Sequence, residues 1–294
     1  MDFQPLITWY RAHQRDIVWR TPTTSAWGIL LSEVMSQQTP VARVEPIWQE
    51  WMQRWPTPAD FANATPDQVL RAWGKLGYPR RALRLLDCAR EIVARHDGEV
   101  PQLLDDLLAL PGIGDYTARA VLAFAFGQRV PVVDTNVRRV VFRLVHGSLL
   151  PGPARRADLN DVSVLLPDSG APEFSVALME LGALVCTTRP RCQECPMLAQ
   201  CAWQQAGRPE PSEAELAAAK RRVQKFAGTD RQVRGLLMGV LRNATTPVPQ
   251  SELDIVWPDA VQRSRALFSL LEDGLAEQND AGLFQLPTTV AESG

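Results

Sequence analysis

The chain has 294 residues, of which 46% are hydrophobic and 22% are charged, and its formal net charge at pH 7 is -2. This composition suits a folded protein with a sizeable core, and the near-neutral charge argues against a protein that holds nucleic acid through bulk electrostatic attraction. The sequence has no run of about eighteen apolar residues and no apolar leader, so we expect neither a membrane span nor a signal peptide. A reducing, cytoplasmic location is the corresponding expectation.

Helical periodicity dominates the first 200 residues. Ser25 can cap a helix that continues to residue 38. Further apolar spacings of three and four residues predict helices near 41–54, 65–74, 79–96, 101–109, 115–126, 135–146, 154–166 and 173–184. No segment before residue 208 alternates apolar and polar residues for long enough to predict a sheet. We therefore expect an all-α fold.

Glu33 is the first candidate for chemistry, because it interrupts the apolar part of the first of these helices, between Leu31 and Val34. Partial burial would raise the pKa of this carboxyl above its usual value of about 4.3 and prepare it to deliver a proton. A glutamate on a helix is, however, more often a solvated surface residue.

Basic residues gather in two short segments. They are Lys75, Arg80, Arg81 and Arg84 in the first segment, and Arg138, Arg139 and Arg143 in the second. Such clusters are as often solvated helix faces as they are phosphate contacts.

Residues 110–115, Leu-Pro-Gly-Ile-Gly-Asp, separate two apolar helical patterns and predict a helix-hairpin-helix. Gly112 and Gly114 clear side chains from the turn, so the backbone amides that begin the second helix can approach a phosphate. The alternative is an ordinary helical hairpin with a glycine cap.

Asp134 directly precedes the apolar pattern of the helix predicted at 135–146, which is typical of an N-cap. Hydrogen bonds from backbone amides stabilise a charged carboxylate, so we expect a lowered pKa and an ionised Asp134. Glu33 and Asp134 would then provide an acid and an anion, the pair that enzymes use to break bonds to sugars.

Four of the five cysteines lie within sixteen residues, at Cys186, Cys192, Cys195 and Cys201. Cysteines this dense in an otherwise cysteine-poor chain indicate one tetrathiolate metal site rather than disulfides. A single Cys-x2-Cys pair flanked by two longer loops favours an iron–sulfur cluster, since zinc ribbons usually have two such pairs. Structural zinc is the alternative.

The composition changes to Pro, Glu, Ala and Lys in residues 207–228, which predicts a linker with one short helix. Residues 229–294 predict a small domain of three helices and a two-stranded turn, at 231–241, 249–255, 260–275 and 277–286. This order matches a winged-helix-like domain. Residues 209–294 carry 9 Lys and Arg against 12 Asp and Glu, so this part of the chain is acidic.

Several segments, in one order along the chain, resemble the helix-hairpin-helix DNA glycosylases and, within them, the MutY family of adenine glycosylases. They are 32–39, 76–78, 110–114, 133–137, 179–183 and the four cysteines. The resemblance covers about residues 3–206 and implies a glycosylase core of residues 1–206. It also implies a six-helix barrel part at about 25–135 and a cluster part formed by the N-terminal segment and about 136–206, with one 4Fe-4S cluster on the cysteines.

Members of this family remove adenine mispaired with 8-oxoguanine, so the resemblance implies base excision repair of adenine opposite 8-oxoguanine or guanine. Glu33 matches the glutamate that protonates adenine N7, Asp134 matches the aspartate that stabilises the oxocarbenium-like sugar, and Asn136 matches an active-site asparagine. Tyr116 stands where some relatives have a catalytic tyrosine and bifunctional relatives have a lysine. A phenol cannot form a Schiff base, so a monofunctional enzyme is implied.

The resemblance also implies how DNA is recognised. The matched residues are Gln37 and Gln38 at the helix end that enters the duplex, Leu76 and Tyr78 in the intercalating wedge, and Trp19, Arg20 and Glu180 around the adenine. An ion pair is the plain alternative for Glu180. The implied partner is double-stranded DNA, bound by a monomer without any membrane, at the nucleoid if the protein is bacterial.

Two other interpretations stay open from the sequence. One is a thymine or uracil mismatch glycosylase of the same superfamily, and the other is a non-catalytic DNA-binding module that contains zinc. Adenine glycosylases of this family usually end in a MutT-like domain that reads 8-oxoguanine, whereas residues 208–294 are too short and too helical for one. The role of this C-terminal part is therefore not evident from the sequence.

Overall fold

The computed structural model describes residues 1–221 and 226–288, and this part of the chain is mostly helical, which confirms the all-α prediction. Its helices α1 to α16 are Gln4–His13, Ala26–Ser36, Val41–Arg54, Pro58–Ala62, Pro66–Trp73, Arg80–Arg95, Leu104–Ala109, Asp115–Phe126, Thr135–Leu144, Ala157–Ser163, Ala171–Leu184, Ala202–Gln205, Glu213–Arg221, Asp230–Asn243, Gln250–Asp254 and Ala260–Glu272. Two strands follow, β1 at Glu277–Gln278 and β2 at Phe284–Gln285. A search of these described helices finds none that is both long enough and apolar enough to cross a membrane.

Side-chain caps and prolines begin several helices. The hydroxyl of Ser25 accepts a hydrogen bond from the Gly28 amide, 3.1 Å away, in the first turn of α2. Pro58 and Pro66 occupy the first positions of α4 and α5, where a missing N–H has no cost. Helices α1, α4 and α12 were not predicted; α4 and α12 are each about a single turn, too short for a period to be recognised.

The chain divides into two compact units. Unit 1 consists of Met1–Ile29, Gln102–Leu104 and Gly114–Gln224. Its core is formed by one face each of α1, α9 and α11, and includes Leu6, Val137, Val141, Phe174, Leu178 and Leu181. Helix α8 adds a smaller apolar cluster around Ala120, Ala123 and Val132.

Unit 2 consists of Leu30–Pro101, Asp105–Ile113 and Lys225–Gly294. A cluster of aromatic rings fills part of its core, where Phe61 lies 5.0 Å from Trp51 and 5.1 Å from Trp55, measured between ring centroids. Trp73 joins the cluster at 5.7 Å from Trp51. Aromatic pairs at these distances add to the stabilisation that burial alone provides.

The C-terminal part of unit 2 has the predicted winged-helix-like order. Helices α14, α15 and α16 precede β1 and β2, which pair antiparallel with Glu277 opposite Gln285. Val248, between α14 and α15, forms a bridge with Phe284 and so adds a third short strand position to this sheet. Helix α13 lies in the predicted linker 207–228, of which residues 222–225 are outside the described chain, as are residues 289–294 of the predicted domain 229–294.

We expect Phe61→Ala to lower the free energy of unfolding by about 3–5 kcal/mol, because it empties a fully buried site among aromatic rings. Urea unfolding followed by circular dichroism measures this loss. Ile255→Ala is the matched control in the same unit, since its side chain is 84% exposed and its loss should change stability by no more than about 0.5 kcal/mol. Equal effects of the two substitutions would contradict the assignment of the aromatic core.

Candidate active site and cysteine loop

Asp134 caps helix α9, as the sequence predicts. Its Oδ1 accepts a hydrogen bond of 2.7 Å from the Val137 amide, and its Oδ2 accepts one of 2.9 Å from Asn136 Nδ2. Both carboxylate oxygens are therefore held, so the side chain has one fixed orientation. This brings two predicted catalytic residues, Asp134 and Asn136, into direct contact in unit 1.

The predicted lowering of the Asp134 pKa is wrong in direction. Burial of the carboxyl raises its pKa above the ordinary value of 3.8, and the hydrogen bonds from Val137 and Asn136 and the charge of Arg139 offset only part of that rise. Sequence patterns show a cap but not how much protein surrounds it. The surroundings of Asp134 consequently stabilise its charged form less well than water does.

Asn136 is itself fixed by Arg139. Arg139 Nη2 donates to Asn136 Oδ1 at 2.6 Å and to the carbonyl of Gly182 at 2.6 Å, while its Nε donates to the carbonyl of Cys186 at 2.7 Å. Gly182 allows α11 to lie this close to Asn136 on α9, since a Cβ atom at residue 182 would lie 2.6 Å from Asn136 Cβ. One arginine thus connects the beginning of the cysteine loop to the asparagine that holds Asp134.

Glu180 lies in a second polar cluster of unit 1 and is fully buried. It accepts hydrogen bonds from Arg20 Nη2 at 2.8 Å and from Arg15 Nη2 at 2.5 Å, so the ion pair considered for it is present. Burial alone would raise the pKa of Glu180, but its hydrogen bonds with Arg15 and Arg20 lower it below the ordinary value. Arg20 Nη1 is buried without an acceptor among the described residues, and Trp19 beside it is also buried.

Tyr116 lies in the first turn of α8 and is partly buried. Its ring packs with Val130 and Met179 against the small cluster of Ala120, Ala123 and Val132. The phenol is therefore placed by apolar packing in unit 1.

Glu33 is partly buried on α2, which agrees with the expected partial burial. Two residues of unit 2 follow the helix, the partly buried Gln37 and the exposed Gln38. Arg81 closes this helix end, because its Nη1 donates to the carbonyls of Val34 and Gln37 at 2.8 Å each. Burial lowers the pKa of Arg81 to about 10, so it stays charged at neutral pH.

The structure places the two predicted wedge residues in different environments. Leu76 is only 3% exposed, so it is a core residue in the free protein. Tyr78 is 38% exposed, and its hydroxyl donates to Gln38 Oε1 at 3.1 Å. Arg81 Nη2 donates to the carbonyls of Leu76 and Gly77, which fixes the loop below the ring. Tyr78 is therefore the exposed member of the predicted wedge, and it is the wedge candidate considered below.

The glycine hairpin has the backbone that the sequence predicts. Gly112 has φ +78°, and a Cβ atom there would lie 2.9 Å from Arg84 Cβ, so a larger residue is excluded on both grounds. Gly114 is the N-cap of α8, and nothing lies within 4 Å of the position its Cβ would take. The amides at the beginning of α8 are therefore not covered by a side chain of the turn.

The four cysteines line one cavity, together with Arg143 and Gln204. Arg143 Nη1 donates to Cys186 Sγ at 3.3 Å, and Gln204 Nε2 donates to Cys192 Sγ at 3.0 Å. Hydrogen bonds to sulfur are a feature of iron–sulfur sites, where they adjust the cluster's potential. Four thiols around one cavity, with protein donors to two of the sulfurs, are a donor set that fits such a cluster.

Sequence analysis missed the arginines that organise these sites. Arg15 was not singled out, and Arg81, Arg139 and Arg143 belonged to basic clusters with an undecided role. All four donate inward to carboxylates, carbonyls or sulfur. No local pattern signals these contacts, because the acceptors lie far away in sequence: Arg81 reaches the carbonyl of Val34, and Arg139 that of Cys186.

The raised pKa of Asp134 predicts a specific pH dependence of stability. Above pH 3.8 the native protein holds this proton more tightly than the unfolded chain, so native stability falls as the pH rises through the native pKa. Asp134→Asn removes this term, so its free energy of unfolding relative to wild type should increase as the pH rises above 3.8 and level off above the native pKa. Urea unfolding across this range, with the exposed Asp168→Asn as control, measures the difference. A difference that stays constant would refute the raised pKa.

Comparison with known proteins identifies the family. A family model described as HhH-GPD superfamily base excision DNA repair protein matches residues 31–149. Among solved structures, a thermostable thymine-DNA glycosylase superposes with a TM-score of 0.64 and 27% identity, over 69% of this chain and 94% of that one. The structure of a trapped endonuclease III–DNA covalent intermediate superposes with a TM-score of 0.59 and 21% sequence identity, over 69% of this chain and 94% of that one. This likeness shows a shared fold.

The sequence relatives are more similar. A protein of Mycolicibacterium smegmatis named adenine DNA glycosylase is 59% identical over 284 residues, which are 96% of this chain and 94% of that protein. A protein of Mycobacterium tuberculosis with the same name is 56% identical over 286 residues, 96% of this chain and 92% of the relative. The chain therefore belongs to the HhH-GPD superfamily of base excision DNA repair proteins and, within it, to the adenine DNA glycosylases.

Proposed function

We propose that this enzyme removes adenine opposite 8-oxoguanine or guanine from double-stranded DNA by hydrolysing the N-glycosidic bond. The observation that carries the proposal is the buried carboxyl of Asp134, which Val137 and Asn136 hold in one orientation. The names of the 59% and 56% identical relatives support adenine as the base. A non-catalytic zinc module is set aside, because the chain belongs to a family of N-glycosylases.

Glu33 is the acid in this mechanism. Breaking the bond to adenine leaves electrons on the base, so a proton at N7 lets adenine depart as a neutral molecule. The Glu33 carboxyl is partly buried on α2, so it can meet an extruded base with little bulk water between them.

Asp134 stabilises the positive charge that develops on the deoxyribose. Because its own surroundings stabilise the carboxylate poorly, the anion gains more from the sugar cation than a well-solvated carboxylate would. Asn136 and the Val137 amide hold its oxygens in place, so little reorganisation is needed as the charge appears.

Arg20 supplies the polar edge of the adenine pocket. Its Nη2 is engaged by Glu180, whereas the buried Nη1 has no acceptor in the described chain. An acceptor nitrogen of a flipped purine would satisfy this donor, and a buried donor left unpaired is costly. Trp19, buried beside it, adds an apolar wall.

Tyr116 limits the reaction to base removal. An amine at this position could attack the sugar and form a Schiff base, which is the route to strand cleavage. A phenol cannot, so the enzyme is monofunctional and leaves an intact abasic strand.

Duplex DNA is the partner, bound by the protein as a monomer. The uncovered amides behind Gly114 suit a phosphate, and the exposed Tyr78 with Gln37 and Gln38 suits the space that a flipped adenine leaves. In a bacterial cell this activity belongs at the nucleoid, in the cytoplasm.

We also infer that the four cysteines hold one 4Fe-4S cluster. Cys186, Cys192, Cys195 and Cys201 would be its ligands, and Arg143 and Gln204 would donate to two of the sulfurs. When bound, such a cluster joins the loop into one unit and can exchange an electron.

Glu33→Gln tests the acid. The amide keeps the shape but cannot donate an acidic proton, so single-turnover release of adenine from an A·8-oxoguanine duplex should fall by at least about 100-fold. Alkali cleavage at the abasic site measures release, and duplex affinity should stay within a few-fold of wild type. Glu50→Gln, an exposed change of the same kind on α3, is the control and should keep full activity.

Two outcomes would overturn this assignment. Retained turnover in Glu33→Gln would remove the acid role. A wild-type protein that leaves adenine in place but releases thymine or uracil opposite guanine would establish the other branch of the superfamily, whose solved thymine-DNA glycosylase shares this fold.

Metal analysis tests the cluster separately. Purified protein should contain about four irons per chain and absorb in the visible range through sulfide-to-iron charge transfer. About one zinc per chain and no visible absorbance would instead support structural zinc.

A further inference from the structure

The C-terminal winged-helix-like part of unit 2 has few cations available for DNA. Its described residues 229–288 contain five arginines and no lysine. Three of the arginines are paired with carboxylates: Arg234 with Asp273 at 2.5 Å, Arg263 with Asp254 at 3.0 Å, and Arg265 with Asp230 at 2.7 Å. A winged-helix domain that binds DNA through its own surface needs unpaired cations along its recognition helix.

Arg231 differs from the other arginines of this part. Arg242 is partly buried, whereas Arg231 is exposed and has no carboxylate partner within the described chain. Its guanidinium carbon lies 4.7 Å from the ring centroid of Tyr78 and 5.2 Å from that of Phe226. The available cation of the C-terminal part therefore lies over the ring of the wedge candidate.

Other contacts attach the C-terminal part to the segments on both sides of Tyr78. Arg80, two residues after Tyr78, pairs with Asp273 at 3.0 Å, and Asp273 also pairs with Arg234. Arg71, on the helix before the loop, donates to the carbonyl of Ala244 at 2.8 Å. The loop of residues 74–79 is thus held from both flanks by the residues that follow the ends of α14 and α16.

This loop has an unfavourable backbone that needs such support. Tyr78 has φ +49°, and Gln38 has φ +56°. The side chains of these two residues are joined by a hydrogen bond from the Tyr78 hydroxyl to Gln38 Oε1. Non-glycine residues in this left-handed region are uncommon and are maintained only where neighbouring contacts enforce them.

We propose that the winged-helix-like part is a brace for the wedge, and that Arg231 is a positioning residue that aligns the Tyr78 ring for entry into the DNA base stack. This inference rests on the proposed function, in which Tyr78 fills the space left by the flipped adenine. It assigns to the C-terminal part a role in base extrusion that does not require its own contact with a base.

The physical argument concerns the freedom of one ring. Tyr78 is exposed, so without a partner its side chain would sample several rotamers, and entering the stack would require the loss of that freedom. A guanidinium over the ring limits its rotamers before DNA binds. Arg81 also lies near this ring, at 5.6 Å, but its Nη1 and Nη2 already donate to the backbone carbonyls of Val34, Gln37 and Gly77. Arg231 is therefore the neighbouring cation that is available to the Tyr78 ring.

Two signals measure the effect of Arg231→Ala. One is the fluorescence of 2-aminopurine placed next to the mispair, which rises when a wedge unstacks it, and the other is single-turnover adenine release at saturating enzyme. Loss of an exposed cation–π contact should reduce both by about two- to five-fold. Arg231→Lys keeps the charge but not the planar group and should restore part of each signal. Arg265→Ala, which removes an equal charge from the same part away from Tyr78, is the control and should match wild type.

A double-mutant cycle with Tyr78→Ala decides the mechanism. If Arg231 acts through the ring, Arg231→Ala should have no further effect in the Tyr78→Ala background. If Arg231→Ala has the same effect in both backgrounds and lowers the salt dependence of duplex binding by about one ion, it is a phosphate contact and the proposal is overturned. The proposal also fails if Arg231→Ala leaves the fluorescence unchanged.

The fluorescence signal separates this proposal from the proposed function. A wild-type protein that unstacks 2-aminopurine in an Arg231-dependent way but releases no adenine would support the brace and reject the catalytic assignment. Adenine release that is unaffected by both Tyr78→Ala and Arg231→Ala would support the glycosylase and reject the brace.

Discussion

Guanidinium groups that donate to backbone carbonyls hold the irregular segments of this helical protein. A helix leaves its last four carbonyls without intrahelical donors, so a chain of many short helices has many carbonyls that need a donor from elsewhere. Water can satisfy such carbonyls at a surface, but beneath a loop the donor must come from the protein. Arg81, Arg90, Arg139 and Arg143 supply these donors, and each reaches two or more acceptors. The delocalised, planar group of arginine suits this task because it presents several donors in fixed directions.

The functional residues depend on this constraint, since they lie in or beside the segments that the arginines hold. Asp134 is oriented by Asn136, and Asn136 by Arg139, which also binds carbonyls of Gly182 and Cys186. In unit 2, the loop that carries Tyr78 is held by Arg81 in the same way. A substitution of such an arginine would therefore leave several buried carbonyls unpaired at once, and its effect on chemistry would be indirect.

Local patterns made much of this structure predictable. The cap at Asp134, the hairpin glycines and the order of the C-terminal elements depend on residues close together in sequence, so spacing alone indicates them. The destinations of the arginines are different, because Arg139 and Arg81 each reach carbonyls 40 or more residues away. The burial of Leu76 and the raised pKa of Asp134 also depend on packing between distant segments. Resemblance to a family supplied candidate roles, but it could not show which of two wedge residues is accessible.

The C-terminal part illustrates why a fold does not determine a function. Its order of helices and strands is that of a winged helix, in which α16 would occupy the position of a recognition helix. Here α16 exposes Val261 and Phe268, and its arginines are already paired with carboxylates. Such a surface cannot release the counterions of a phosphate backbone as a basic recognition helix does. The C-terminal part would instead affect DNA binding indirectly, through the residues that it contacts. Among these residues is Tyr78, whose exposed ring lies 4.7 Å from the guanidinium carbon of Arg231.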